Sequence, residues 1–136
     1  RDIPLFGICL GLQLLYSKSH EMGVFQGLDI IPGEVIKFDK EKVDKIPQIG
    51  WNNVDFQQNN HFLVQNIPNK SYFYFVHSFY GIPQNEKYAL GKTTYDEVEF
   101  CSIVANDNVV ATQFHPEKSS RYGIQMYHNF INYCKR

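Results

Sequence analysis

Apolar residues enter this chain in short runs cut by glycine, proline and charge, a pattern of many brief elements rather than a few long helices. The first run, Ile3-Pro4-Leu5-Phe6, reads as a strand and leads into Gly7-Ile8-Cys9-Leu10-Gly11. A helix is expected over residues 10–18, with Leu10, Leu14 and Leu15 packed on a sheet and Leu12 beside them. Residues 19–27 read as a loop punctuated by Gly23 and Gly27. Residues 28–38 read as two short strands around a Pro32-Gly33 turn, and residues 39–45 are charged and exposed. The only tryptophan, Trp51, lies between Gly50 and Asn52-Asn53, in a setting that suits either a loop anchor or an exposed interface residue. One helical turn is expected within residues 59–67, before Pro68.

Residues 71–80 carry almost unbroken aromatic character, as in a strand covered on both faces, with His77-Ser78 at its end. Strands are expected at 88–95 and 100–105, and Asn106-Asp107-Asn108 is a hairpin turn into a strand at 109–114. An amphipathic helix over 122–134 closes the chain, with Ile124, Tyr127, Ile131 and Cys134 on one face and Phe130 adjoining. Lys135-Arg136 supply a basic C-terminal end.

Length and charge narrow the classes. A chain of 136 residues with 43% hydrophobic and 15% aromatic residues is one domain with enough apolar side chains for a core. A net charge of −1 without a basic stripe argues against nucleic acid, and no apolar run or basic amphipathic helix suits a membrane. No signal-like segment opens the chain, which suggests the cytoplasm. Three cysteines, Cys9, Cys101 and Cys134, without CxxC spacing argue against both a disulfide framework and a zinc site.

The chemistry concentrates in two places. Glycine on either side of Cys9, between a strand and a helix, has the pattern of a nucleophile elbow, in which flanking side chains would clash at a sharp turn. The N-terminus of the following helix would favour thiolate over thiol. Gln13 lies four residues on, a spacing that either brings its amide over the sulfur or turns it to solvent. In His115-Pro116-Glu117, an extended backbone would project the imidazole and the carboxylate to one side, so that the acid orients the base. His77 also ends a strand but has no acid two residues on, and His20, His61 and His128 fall on loops or polar faces.

Gly7-Ile8-Cys9-Leu10-Gly11-Leu12-Gln13-Leu14-Leu15 together with Phe114-His115-Pro116-Glu117-Lys118-Ser119 resembles the class I (triad) glutamine amidotransferase family. Pro47-Gln48-Ile49-Gly50-Trp51-Asn52 and Tyr74-Phe75-Val76-His77-Ser78-Phe79-Tyr80 narrow the resemblance to the branch of glutaminase subunits that serve imidazole glycerol phosphate synthases in histidine biosynthesis. Many members of that branch have His-Met where this chain has Gln48-Ile49. The resemblance implies an α/β fold, an open mixed and mainly parallel flavodoxin-like sheet flanked by helices. It also implies Cys9 as nucleophile, His115 as acid/base and Glu117 as its orienting acid, with no cofactor. Leu10 N–H would be one oxyanion donor, while Gln13 and the backbone around His77 and Ser78 would hold the substrate glutamine. Ammonia would pass to a (β/α)8 cyclase subunit in a heterodimer.

In open α/β sheets the reactive turn ends a central strand with neighbours on both sides. The chain enters its first strand directly after Arg1-Asp2, so preceding segments are expected to complete the sheet; the resemblance implies that they also bring a second, glycine-rich oxyanion donor. Residues 1–136 are therefore expected to be a partial type 1 glutamine amidotransferase domain. Other readings remain: a glutaminase supplying ammonia for sugar modification in surface polysaccharide or glycan synthesis, a γ-glutamyl peptidase on the same triad, or an inert binding module.

Overall fold

The computed structural model describes residues 3–135. The Arg136 of the expected basic helix end lies outside the described residues. The fold is α/β, with mixed sheets flanked by few helices. Strand β1 (Leu5–Ile8) leads into helix α1 (Leu10–Leu14), followed by β2 (Tyr16–Ser19), β3 (Phe25–Gln26) and β4 (Ile31–Lys37). Next come β5 (Gln48–Asn53), β6 (Asp55–Phe56), β7 (Tyr72–His77) and β8 (Phe79–Pro83). The chain ends with β9 (Ala89–Tyr95), β10 (Val98–Asn106), β11 (Val109–Thr112) and helix α2 (Ser120–Cys134).

The strands form a five-stranded sheet in the order β1-β11-β10-β9-β6, a four-stranded sheet β3-β2-β4-β8 and a ribbon β5-β7. Among the described residues the parallel pairings are β1 with β11 and β2 with β4, and the other pairings are antiparallel. In these residues β1 is one of the two edge strands of its sheet. No helix among the described residues is long and apolar enough to cross a membrane.

Several local expectations change. The helix after the elbow is a single turn, because Tyr16–Ser19 leaves it to pair with β3 and β4. Its buried leucines are Leu12 and Leu15, whereas Leu10 and Leu14 face outward. Pro32-Gly33 is a bulge inside one strand rather than a turn between two. Tyr16 pairs with Ile31 and Lys18 with Glu34, so β4 spends one extra residue there. Gly33, at φ +150, takes the bulge conformation, and its N–H goes to Ser17 Oγ at 3.0 Å.

The aromatic run over 71–80 is two strands in different sheets, since β7 pairs with β5 and β8 with β4, and the chain changes sheet at Ser78. Only one face of β7 is fully covered: Phe73, Phe75 and His77 are buried while Tyr72 is exposed. Segment 46–53 supplies a strand, on which Trp51 is exposed and meets the Tyr74 ring edge-on at 5.9 Å.

Helix α2 does not bury the expected face. Gly123, Met126 and Asn129 point inward, while Ile124 and Ile131 are about half exposed. The Asn129 amide explains the choice, because it donates to Leu63 O and Gln65 O at 2.8 Å and so satisfies loop carbonyls that an apolar side chain would leave unpaired. One core gathers Phe73, Phe75, Phe114, Ile103 and Met126, and a second gathers Leu12, Leu15, Tyr16, Ile31 and Val104. Each fully buried large side chain contributes roughly 2–3 kcal/mol before entropy is set against it.

Candidate active site

The site begins where two parallel strands end together. In the β1–β11 ladder Ile8 faces Thr112, and Cys9 N–H extends the pairing by donating to Thr112 O at 2.7 Å. Cys9 then takes φ 54, a conformation costly for a residue with a Cβ, and the chain turns into α1. Gln13 N–H closes the first helical turn on Cys9 O at 3.2 Å. A Cβ on Gly7 would meet the Gly11 backbone at 3.1 Å and Ala111 Cβ at 3.3 Å, so Gly7 permits the close approach. Gly11 is different: a Cβ there would meet open space, and the expected clash on that side of the elbow is absent.

Adjacent strands lie about 4.8 Å apart, so side chains just beyond Ile8 and Thr112 emerge at one sheet end. Those side chains are Cys9 on one strand and Gln113 and His115 on the other. The His115 backbone is tied to Tyr74 and Ser119, which are tied to each other. Its N–H donates to Tyr74 O at 2.9 Å, its carbonyl accepts from Ser119 Oγ at 2.6 Å, and Ser119 Oγ accepts from Tyr74 N–H at 2.9 Å. The backbone at His115 is extended, but Pro116–Lys118 forms a 3-10 turn rather than continuing straight. That turn brings Glu117 Oε2 to 2.8 Å from His115 Nδ1. Tyr127 of α2 donates its hydroxyl to Glu117 Oε1 at 3.4 Å.

The electrostatics at the sulfur run against the sequence expectation of an activated thiolate. Burial raises the Cys9 thiol above its ordinary value, and the charges of Glu117 and Glu21 add to the rise. The Leu10 N–H and the Gln113 amide act the other way without overcoming burial. For Glu117, partial burial works upward, but its own N–H, His115 and Tyr127 hold the carboxyl below its ordinary value.

The remaining candidates take distinct places. Gln13 is buried rather than solvent-facing; its amide donates to Phe79 O at 3.2 Å and to Gln113 Oε1 at 3.5 Å. The His77 ring is in the core, against Phe38 and Phe100, with Nε2 at 2.8 Å from Gln48 Oε1 and Nδ1 at 2.8 Å from Phe79 O. Burial pushes its pKa down to about 4. The backbone just before His77 does reach the sulfur, since Cys9 Sγ donates to Val76 O at 3.9 Å. Ser78 is half-buried, and its carbonyl accepts from Phe38 N–H at 3.0 Å.

Sequence reasoning missed Gln113, Tyr127 and Glu21. Gln113 had a signal, because it stands two residues before His115 in an extended segment and shares its side. Glu21 helps line a cavity of about 420 Å³ with Leu10, Gln13, Leu14, Ser19, Met22 and Phe25, beside the elbow.

A cysteine elbow and a His–Glu pair thus lie at one end of an α/β sheet. Residues 1–133 match the family model of glutamine amidotransferase class-I, and the chain belongs to that family. More narrowly, it is 47% identical over 95% of its length to imidazole glycerol phosphate synthase subunit HisH of Chlorobaculum tepidum, covering 63% of that protein. The corresponding protein of Methanocaldococcus jannaschii gives the same 47% identity, with 95% of this chain and 63% of that protein covered. The chain thus spans about three-fifths of the length of these relatives. Among solved structures, a glutamine amidotransferase from Thermotoga maritima superposes with a TM-score of 0.61 at 21% identity, over 98% of this chain and 50% of that one. PurLQS from the same organism gives 0.65 at 19% identity, over 94% and 60%. At those identities the likeness is one of fold.

Proposed function

We propose that the chain carries the catalytic residues of a glutaminase that feeds ammonia to an imidazole glycerol phosphate synthase in histidine biosynthesis, within a type 1 amidotransferase domain that residues 1–136 represent in part. What supports this reading is the β1–β11 register, which puts the Cys9 elbow and His115 just beyond one sheet end, together with Glu117 Oε2 at 2.8 Å from His115 Nδ1. The 47% identity to two synthase subunits supports the choice of partner over a sugar-modifying one.

Cys9 passes its thiol proton to His115 as the sulfur attacks the side-chain amide carbon of glutamine, and the carbonyl oxygen becomes an oxyanion that accepts from Leu10 N–H. The tetrahedral centre collapses to a glutamyl thioester as His115 gives its proton to the departing ammonia. Water then attacks the thioester, His115 takes the water's proton, and glutamate leaves as the thiolate is restored. Glu117 holds the imidazole ring in one orientation and stabilises it when protonated. Gln13 and the backbone around His77 and Ser78 hold the substrate, and the Glu21 carboxylate suits its amino group. Because burial keeps the Cys9 thiol protonated in the resting site, ionisation is coupled to substrate binding and to His115 rather than standing ready.

The partner is a (β/α)8 cyclase subunit in a heterodimer, which receives the ammonia before it reaches solvent. The test is Cys9→Ser in the full-length protein, mixed with the cyclase and its nucleotide substrate. Glutamine-dependent synthesis should be lost and ammonia-dependent synthesis kept. Glutamine use undiminished in the variant contradicts the assignment.

A further inference from the structure

Gln113 is 0% exposed, and its amide has both ends committed. Nε2 donates to Cys9 Sγ at 3.7 Å, and Oε1 accepts from Gln13 Nε2 at 3.5 Å. A buried primary amide is expensive to desolvate, so its placement against a half-buried sulfur calls for a role beyond filling space. Gln13 spends its other amide hydrogen on Phe79 O at 3.2 Å, which leaves its own carbonyl oxygen as the part that meets a ligand. The Gln113 backbone, just beyond β11, is fixed independently by N–H donation to Ser102 O of β10 at 2.9 Å, so the side chain is delivered by the sheet rather than drawn in by the sulfur.

We propose that Gln113 is a positioning residue of the amidotransferase site: its amide nitrogen steadies the Cys9 sulfur as it ionises, and its amide oxygen turns Gln13 so that the Gln13 carbonyl faces the ligand. The inference rests on Cys9 being the nucleophile. Sulfur gains negative charge when it ionises ahead of attack, and an N–H donor aimed at it from a buried position favours that charge. Burial works in the opposite direction at this thiol, and Gln113 and Leu10 N–H are the groups that oppose it.

The test uses the full-length protein in a Cys134→Ser background, which removes the exposed thiol, while Cys101 stays buried. The rate of Cys9 alkylation by iodoacetamide is followed from pH 6 to pH 10 in the parent, in Gln113→Leu and in Gln113→Glu. Gln113→Glu keeps the shape and replaces the donor with an acceptor. The midpoint of the profile should move up in both variants, with the rate at pH 7 falling about threefold to tenfold in Gln113→Leu and further in Gln113→Glu. At high pH all three should converge. Midpoints unchanged in both variants overturn the proposal, and so does a loss of rate that is equal at every pH, which indicates blocked access. The measurement needs no glutamine, so a shifted midpoint in a protein that fails to hydrolyse glutamine sustains the role of Gln113 and rejects the glutaminase reading.

Discussion

Cys9 and His77 show how burial acts on two titratable groups joined by one contact, since Cys9 Sγ donates to the carbonyl of Val76, the residue before His77. For Cys9 burial works against the charge that the proposed chemistry needs, and nearby donors partly offset it. For His77 burial, with the His115 charge adding to it, outweighs the opposing pull of the Phe79 carbonyl and holds the ring neutral down to about pH 4. The unfolded chain takes up that proton near pH 6.5. Between these values the unfolded state binds more protons than the folded one, so stability rises with pH across the window and is lost as pH falls through it. Urea unfolding should give a stability about 2 kcal/mol lower at pH 5 than at pH 7, and His77→Gln should flatten that difference. Equal slopes with pH in the parent and the variant would assign the acid sensitivity to other groups.

At the scale of elements, the hairpin at Asn106-Asp107-Asn108 and the strand–turn–helix around Cys9 were legible because local chemistry dictates them: turn residues at the apex, and glycine where backbones approach. The rest was hidden by tertiary choices. Pro32-Gly33 has turn composition, yet the extra residue is absorbed as a bulge because β2 lies alongside to accept the strand. Ser78 interrupts an aromatic run that looks continuous, and only the separate partners β5 and β4 make it a boundary. In α2 the polar Asn129 takes a core position because two loop carbonyls require it. Within the candidate site, the pairing of His115 with Glu117 was expected from an extended backbone, whereas a 3-10 turn makes it, and the Tyr127 contact depends on how α2 docks. The elbow itself makes a testable contrast. Gly7→Ala should destabilise by about 1–3 kcal/mol through its contacts with Gly11 and Ala111, while Gly11→Ala, in open space on a helix, should be neutral or stabilising by up to ~1 kcal/mol. Thermal unfolding of both variants decides it, and equal losses would contradict the asymmetry.

Across the whole molecule, the candidate site lies beside an exposed aromatic ribbon. The β5–β7 register sets Ile49 opposite Val76 and Trp51 opposite Tyr74, and Ile49 and Trp51 are exposed on the ribbon that carries the Val76 carbonyl to the sulfur. A cyclase docked there would cover the site and receive ammonia directly. Trp51→Ala should weaken that association roughly tenfold or more, as loss of a central aromatic anchor does, with the fold unchanged; calorimetric titration of the two proteins measures it. An unaltered affinity would move the interface elsewhere.

The three thiols give the most direct access to the central claim, that Cys9 is the nucleophile of a glutaminase. Burial pushes the Cys101 thiol up to about 12, and Cys134 is exposed at the end of α2. Treating the full-length protein with a diazoketone analogue of glutamine and mapping the adduct by peptide mass spectrometry should find one modification, on Cys9, suppressed by excess glutamine and absent in Cys9→Ser. An adduct on Cys134 alone, or labelling of Cys9 that glutamine does not slow, would contradict the account.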